Sequence, residues 1–440
     1  MEKRIDTVII GSGICGLSLA HFLSKQSNDF VVLEASNKIG GIIQTENKSE
    51  FICENGPNTV LLNNDAIIEL IKDCGLWDTL NFPSEISNKN RYVLHNNELT
   101  LIPTSFKRFI SSPLLSFASK LRILFEPFIP KHLQNTSVYD FVVKRFGREF
   151  HDQLIEPFIT GIYAGDTKKM SAKHSLKMLW KLEQNYGSVL RGLFSQKRKG
   201  AQMGSFNLPM GLSQLIHTIA EPIKDHIHLN TEVNKVVKNE FGYEVHSESG
   251  SIFCKKLICA VPAYSLSKLF TDEQLRSVLQ KVRYTPVDVF HFGFKKENVA
   301  NQAKGFGVLT KPSDEKSYLG ILFSSRTFKN VAPQDSELFT VLVGGERQKE
   351  LCELPIEQLE EKVLNELEQL IGHKGRLAFK KHYRWKRGIP QYDMSQEQLN
   401  SAIANFEAQN SELFILGNFY AGISVSDCIL KAKNIVNKLD

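Results

Sequence analysis

Cysteine is scarce and unpaired in this chain. The seven, at Cys15, Cys53, Cys74, Cys254, Cys259, Cys352 and Cys428, are odd in number, and none stands in a CxxC spacing. That excludes a disulfide scaffold and a cysteine zinc site, and the thiols are expected to be reduced core residues of a cytosolic protein. HExxH, Walker A and GxSxG sequences are missing, so zincin, P-loop and α/β-hydrolase chemistry lack their motifs. The twelve histidines show no ligand spacing, and no metal site is expected. No apolar run approaches the roughly 18 residues of a membrane span. Charge of one sign is also in short supply: 54 Lys+Arg against 48 Asp+Glu leaves only +6. With no basic stripe carrying interleaved aromatics, nucleic acid is not an expected partner. Internal repeats and low-complexity linkers are absent. The N-terminus runs straight into an apolar strand pattern, so no signal or transit peptide is expected. What remains is an ordinary globular composition, 42% hydrophobic and 23% charged, over a length that holds two or three domains.

The informative residues begin at once. Asp6-Thr-Val-Ile-Ile is followed by Gly11-Ser12-Gly13-Ile14-Cys15-Gly16 and an apolar helical run, and a second apolar run ends on an acid, Phe30-Val-Val-Leu-Glu34. This is the dinucleotide-binding fingerprint in the context it requires. Gly11 permits the tight turn, Gly13 lets backbone approach a pyrophosphate, and Gly16 lets helix pack closely on strand. The helix N-terminus offers unpaired N–H groups and the positive end of its dipole to the diphosphate. Glu34 is placed to accept hydrogen bonds from ribose hydroxyls.

Cofactor elements sit at the start, middle and end of the chain. The spacing predicts a βαβ unit over about 4–60, a helix over 65–80, and a hairpin at 92–102 with an Asn-rich turn. From 103 to about 196 the pattern is helical. Short strands return at 230–262 and 284–345, a charged amphipathic helix follows at 355–371, and 412–418 reads as a buried strand before a last helix. The expected fold is α/β: a Rossmann-type domain made discontinuous by a β-rich substrate domain and a helical, membrane-facing insertion. The boundaries are 1–88, 201–265 and 406–440 for the dinucleotide domain, 89–200 for the helical membrane-binding and substrate insertion, and 266–405 for the substrate domain.

Several segments then resemble one family. Glu34-Ala35-Ser-Asn-Lys38-Ile-Gly40-Gly41-Ile42, followed by Glu54-Asn-Gly56-Pro57-Asn58-Thr59, is similar to the second dinucleotide element of the FAD-dependent amine oxidase superfamily. Lys38 stands where that superfamily usually has Arg, keeping the cation but losing the bidentate fork. Gly161-Ile-Tyr-Ala-Gly165-Asp166, Leu179-Trp-Lys-Leu-Glu-Gln-Asn, Trp385…Pro390-Gln-Tyr392 and Leu416-Gly-Asn…Gly422-Ile423-Ser424-Val425 resemble, in order and across the whole chain, the protoporphyrinogen/coproporphyrinogen oxidases. One departure is that Tyr392 is followed by Asp-Met-Ser rather than Gly-His.

The resemblance implies non-covalent FAD and the six-electron oxidation of protoporphyrinogen IX to protoporphyrin IX, in haem biosynthesis. Electrons would pass in three two-electron rounds to oxygen, leaving hydrogen peroxide. Coproporphyrinogen III oxidation is the alternative, and a flavin amine oxidase, a carotenoid desaturase or a non-enzymatic flavin scaffold are more distant ones. Cofactor contacts are implied at Gly11–Gly16, at Glu34 and Ala35, at Gly41 and Ile42, and at Gly56–Thr59. Val233 would hold the adenine through its backbone, Trp385 would cover part of the cofactor, and Ile423–Val425 would aim the last helix dipole at the flavin. For substrate, Arg91 is implied to clamp a propionate, Leu309, Leu322 and Leu342 to form apolar jaws, and Gly161 and Gly165 to bring backbone close to the ring. No general base is evident. The segment 106–129 mixes Phe and Leu with Lys and Arg as interfacial helices do, so peripheral contact with the inner face of the cell membrane is expected for a cytoplasmic protein. A homodimer remains open.

Overall fold

The computed structural model describes residues 3–195, 203–420 and 422–439. The expected domain boundary at 200/201 and Ala421 of the closing motif lie outside the described residues. Apolar runs without alternation build the first sheet, as strands covered on both faces require. Phe30–Leu33 is buried at all four positions. It pairs in parallel with Lys3–Ile10, which pairs in parallel with Gly250–Cys259, which pairs in parallel with Leu413–Ile415. Val233–Asn239 and Gly242–Ser247 extend the sheet antiparallel on the near half of Gly250–Cys259. Helices Ile14–Ser24, Asp65–Asp73, Ser213–Ala220 and Val425–Leu439 cover one face.

The other face is covered by helices from the stretch between the middle and last parts of the dinucleotide domain. Leu275, Leu279, Leu399 and Ile403 share a core with Val8, Leu257 and Ile415. Their helices, Glu273–Gln280 and Gln396–Gln409, therefore pack on the first sheet, the one lying within 266–405 and the other crossing position 405.

The second sheet runs Phe379–Pro390, Tyr284–Lys295, Ser336–Gly344, Gly320–Leu322, Gly307–Leu309, Tyr92–His95, Glu98–Leu101. The hairpin turns at Asn96 and Asn97, with φ of 53° and 62°, the left-handed pair that a two-residue turn needs. It forms an edge of this sheet rather than part of a helical insertion. Phe379–Pro390 is a strand the sequence concealed, because its lysines and arginines mask the period. Even-numbered Phe290, Phe292 and Phe294, with Val308, Ile321, Phe323, Phe339 and Val341, pack against helix Ile356–Ile371 through Leu359, Val363 and Leu367. Each buried Phe here contributes about 2–3 kcal/mol relative to an exposed one. The alternate residues turn toward the first sheet's domain.

Short helices between Phe106 and Ser195 enclose a third core around Phe141, Ile159 and Trp180. At its heart the fully buried Arg145 answers Glu126 at 2.8 Å and Glu183 at 2.6 Å. Outside, Phe106, Phe117, Phe128 and Phe194 are 76%, 81%, 77% and 88% exposed, while Leu115 is buried. Among the described residues no helix is long and apolar enough to cross a membrane.

Candidate functional site

The opening glycines do what their spacing demands. Gly11 has φ +102°, and a Cβ on Gly16 would stand 1.9 Å from the Gly11 carbonyl oxygen, so both are fixed by packing. Gly13 differs: a Cβ there would meet nothing within 4 Å. That open space lies at the N-terminus of Ile14–Ser24, which no side chain caps, with Ile14 and Cys15 in its first turn. The second glycine pair closes over it. Gly13 bridges to Gly40, the Gly40 N–H donates to the Ser12 carbonyl at 2.9 Å, and a Cβ on Gly41 would stand 3.4 Å from Gly13 Cα. The result is a groove of backbone amides with room for a diphosphate, so the residues present fit a dinucleotide.

Glu34 braces the groove. One carboxylate oxygen accepts from the Ser12 N–H and hydroxyl, each at 2.8 Å, and the other from the Ser36 N–H and hydroxyl, each at 2.9 Å. Ala35 beside it is exposed, and Val233 lies close by, since Thr231 N–H donates to the Glu34 carbonyl. A Cβ on Gly56 would stand 1.9 Å from the Ile42 carbonyl oxygen, so the Gly56–Thr59 loop rests directly on the second glycine element. Pro57 and Thr59 are half-buried in that loop, and the Asn58 carbonyl accepts from Asn207. At the far end of the chain, the Ser424 hydroxyl accepts from the Asp427 N–H at 3.0 Å and so caps Val425–Leu439, just after Ile423. The opening and closing helices pack against each other, and thus the first and last motifs meet.

The second sheet's other surface meets the Gly56–Thr59 loop, Leu322 and Thr340 lining one cavity with Asn58 and Thr59. Leu309 is opposite Gly320 and Gly320 opposite Leu342, while Leu322 lies between Gly307 and Thr340. The three leucines therefore share one face, separated by glycines, and remain half-buried while the opposite face is sealed. Leu309 closes on helix Glu156–Tyr163 at Gly161, where a Cβ would stand 2.6 Å from its Cδ2. At Gly165 a Cβ would collide with Met170 Sδ and Gln391, so that glycine is already packed by side chains. Between the two, Ala164 holds a left-handed φ of 49°, a local strain of the kind found at functional sites. Arg91 precedes Tyr92–His95 on the leucine side. Its guanidinium donates to the Asn88 carbonyl at 2.8 Å and stacks 4.9 Å over Phe306. Among the described residues no carboxylate pairs with it, and burial holds its pKa below the usual arginine value. Trp385 Nε1 donates to the Asn55 carbonyl at 2.6 Å, tying the second sheet to the Gly56 loop.

Some residues carry no signal in sequence. Glu54 is buried, accepts from Leu212 N–H and the Thr45 hydroxyl at 2.7 Å each, and is pushed by burial up to about 7. It lines a small cavity, about 20 Å³, with Asn58, Thr59, Asn207, Leu322 and Thr340, room for a single water between groove and leucine face. His291, on the same face and 3.0 Å from the Thr340 hydroxyl, is pushed down to about 3 by burial. Tyr392 donates to the Asn418 carbonyl and accepts from Gly422 N–H, locking the closing loop. Its Pro390-Gln-Tyr392 motif was the available clue, whereas a lone glutamate or histidine gives none.

The sequence profile of the flavin-containing amine oxidoreductases matches residues 14–437. A protoporphyrinogen oxidase 2 from Arabidopsis thaliana is 30% identical over 472 residues, covering 97% of this chain and 92% of that protein. The chain belongs to the protoporphyrinogen/coproporphyrinogen oxidase family of flavin-containing amine oxidoreductases. A coproporphyrinogen III oxidase from Bacillus subtilis is 25% identical, covering 99% of this chain and 98% of that one. The crystal structure of an Exiguobacterium protein assigned as a protoporphyrinogen oxidase superposes with a TM-score of 0.83 at 22% identity, over 100% of this chain and 99% of that one, and supports the fold. Membership of this family makes the chain an FAD-dependent oxidoreductase, and the amide groove, Glu34 and the capped closing helix are the parts of it that fit FAD.

Proposed function

We propose that this family member oxidises a porphyrinogen, protoporphyrinogen IX, to the porphyrin. Bound FAD would supply the two-electron acceptor that returns electrons to dioxygen as hydrogen peroxide. The chain's own residues hold, orient and dry the substrate. The observation that carries the reading is Arg91, half-buried without a carboxylate at the rim of a face that presents Leu309, Leu322 and Leu342 between glycines. A guanidinium left unpaired in that way suits an incoming propionate, which it can grip bidentately. The leucines offer a flat apolar wall for a macrocycle, and Leu309 against Gly161 marks where that wall and helix Glu156–Tyr163 would part to admit it. Gly161 would bring backbone close to the ring once Leu309 withdrew, whereas Gly165 is taken up by Met170 and Gln391 and is not assigned to substrate.

Coproporphyrinogen III is the second reading, favoured by the bacterial relative and by Arg108, whose guanidinium lies 3.5 Å from Asn90, next to Arg91, and offers another cation for its extra propionates. Aerobic assay of the purified protein with both porphyrinogens, following porphyrin fluorescence, decides between them. No fluorescence from either would sink the proposal.

We also read the outer helices as a lipid-facing surface on the inner face of the membrane. Phe106, Phe117 and Phe128 are solvent-exposed phenylalanines beside Lys107, Arg108 and Arg122, an arrangement suited to anionic headgroups. Vesicles containing anionic lipid should recruit the protein, less at high salt, and a variant with these three phenylalanines made polar should stay in solution. Leu115 and Phe109 pack inward and are unsuited to that test.

A further inference from the structure

Helix Glu156–Tyr163, whose Gly161 backbone meets Leu309, is gripped by the segment that continues strand Ser336–Gly344 beyond Leu342. The Glu346 N–H donates to the Ala164 carbonyl at 2.7 Å. Gly345, at φ +75°, passes so close that a Cβ there would stand 2.7 Å from the same oxygen. The Arg347 guanidinium then forks over the helix, one nitrogen donating to the Glu156 carboxylate and the other to the Thr160 hydroxyl. Positions 156, 160 and 164 are spaced i, i+4, i+8, so the grip follows one stripe of the helix. Its anchor is itself fixed. Glu156 and Thr160 are buried, and the second Glu156 oxygen accepts from the Thr167 hydroxyl and lies 3.0 Å from His151 Nε2. We propose that Arg347 is a positioning residue for the tetrapyrrole: its fork on Glu156 and Thr160 sets the height of the Gly161 backbone above the leucine wall, and so the width of the slot that opens when Leu309 withdraws.

The helix is tied at the end of the Leu342 strand and touches Leu309 two strands away. A change of Leu309 rotamer parts the far side while the near side stays tied. The helix is entered through a π turn, His151–Ile155, an insertion that recurs at functional sites. A flat ring between two apolar surfaces is sensitive to their spacing, because a gap of about 0.5–1 Å forfeits roughly a quarter to a half of each dispersion contact. Arg347 thus acts through the helix rather than on the ring. The task calls for a planar pair of donors, which a lysine lacks. The inference rests on the proposed function for the identity of the ring.

The test uses full-length protein loaded with FAD and reads ring binding apart from turnover. Protoporphyrin IX and coproporphyrin III are titrated into wild type, Arg347→Gln, Arg347→Lys and Thr160→Val, with binding followed by quenching of tryptophan fluorescence. KM and kcat with the matching porphyrinogen, FAD content and hydrogen exchange of the 156–164 amides are measured alongside. In Arg347→Gln, porphyrin Kd and porphyrinogen KM are expected to rise roughly tenfold, short of the roughly hundredfold that a misplacement of about 1 Å can cost. In the same variant kcat should fall less, FAD content should hold, and the 156–164 amides should exchange faster. Arg347→Lys should recover part of the binding. Thr160→Val, which keeps the shape but loses one acceptor, should shift Kd and KM the same way by less, and it carries the reading if Arg347→Gln fails to fold. Faster exchange with Kd and KM unchanged would make Arg347 a tie of the fold and overturn the inference. Wild-type protein that binds neither porphyrin would overturn the proposed function and the inference with it, whereas wild-type binding left unaltered in the variants would overturn the inference alone.

Discussion

The first sheet is sealed by helices on both faces and offers its candidate site at its edge, with backbone amides and glycines; the second is sealed on one face and offers its candidate site on the other, with side chains. In the first, the proposed binding atoms are N–H groups at a helix N-terminus, placed by a local turn within about six residues. In the second, Leu309, Leu322, Leu342 and Arg91 come together only because separate strands stack in register. A site of backbone tolerates little change at a few glycines, and a site of side chains spreads its demands over many strands. The largest disturbances are accordingly expected at the first and graded ones at the second.

Gly13→Asp should give the sharpest contrast. The structure leaves open space for the new side chain, so the chain should fold, yet a carboxylate would occupy the diphosphate groove with like charge. The expected outcome is colourless, folded protein; FAD retained at wild-type levels would break the assignment of the groove. Gly16→Ala, by contrast, should fail at folding, since its Cβ would collide with the Gly11 carbonyl.

Within the second sheet, the two faces should separate stability from activity. Phe290→Ala, on the helix-covered face, removes a fully buried ring and should cost about 3–5 kcal/mol in denaturant unfolding. Leu322→Ala, on the half-buried face, should cost about 1 kcal/mol while raising KM. Equal losses of stability would show that the faces are not functionally distinct.

Arg91→Ala should lower kcat/KM by roughly a hundredfold with FAD content unchanged, as expected when a propionate loses its partner in a dry site. Arg91→Lys should recover only part, for want of the fork. Wild-type kinetics in Arg91→Ala would make the residue a mere strand end.

A smaller, pH-dependent effect belongs to Glu54, at the seam between the regions. Its folded pKa is raised by burial to about 7, so the folded chain holds a proton there that the unfolded chain has released. Stability should therefore fall as pH rises from about 4.3 to about 7, by at most about 4 kcal/mol, and level off above. Glu54→Gln should flatten that slope in urea midpoints measured at pH 5 and pH 8; an unchanged slope would place the proton elsewhere.

The residues themselves determined the turn Gly11–Gly16, the acid Glu34, the strand at 413–415 and the Asn96–Asn97 hairpin, because each is a local conformation written in contiguous residues. The spacing of the glycines also announced a dinucleotide before any contact was known. Tertiary structure alone decided that the hairpin edges the second sheet, that helix Gln396–Gln409 packs on the first, and that Phe379–Pro390 is a strand despite its charges. It alone set Glu54 and His291 into dry surroundings, and it alone packed the opening helix against the closing one across almost the whole chain. The physical reason is common to these cases: burial, sheet register and helix packing are fixed by residues distant in sequence, so a side chain whose chemistry depends on its surroundings carries no mark of them in its own neighbourhood.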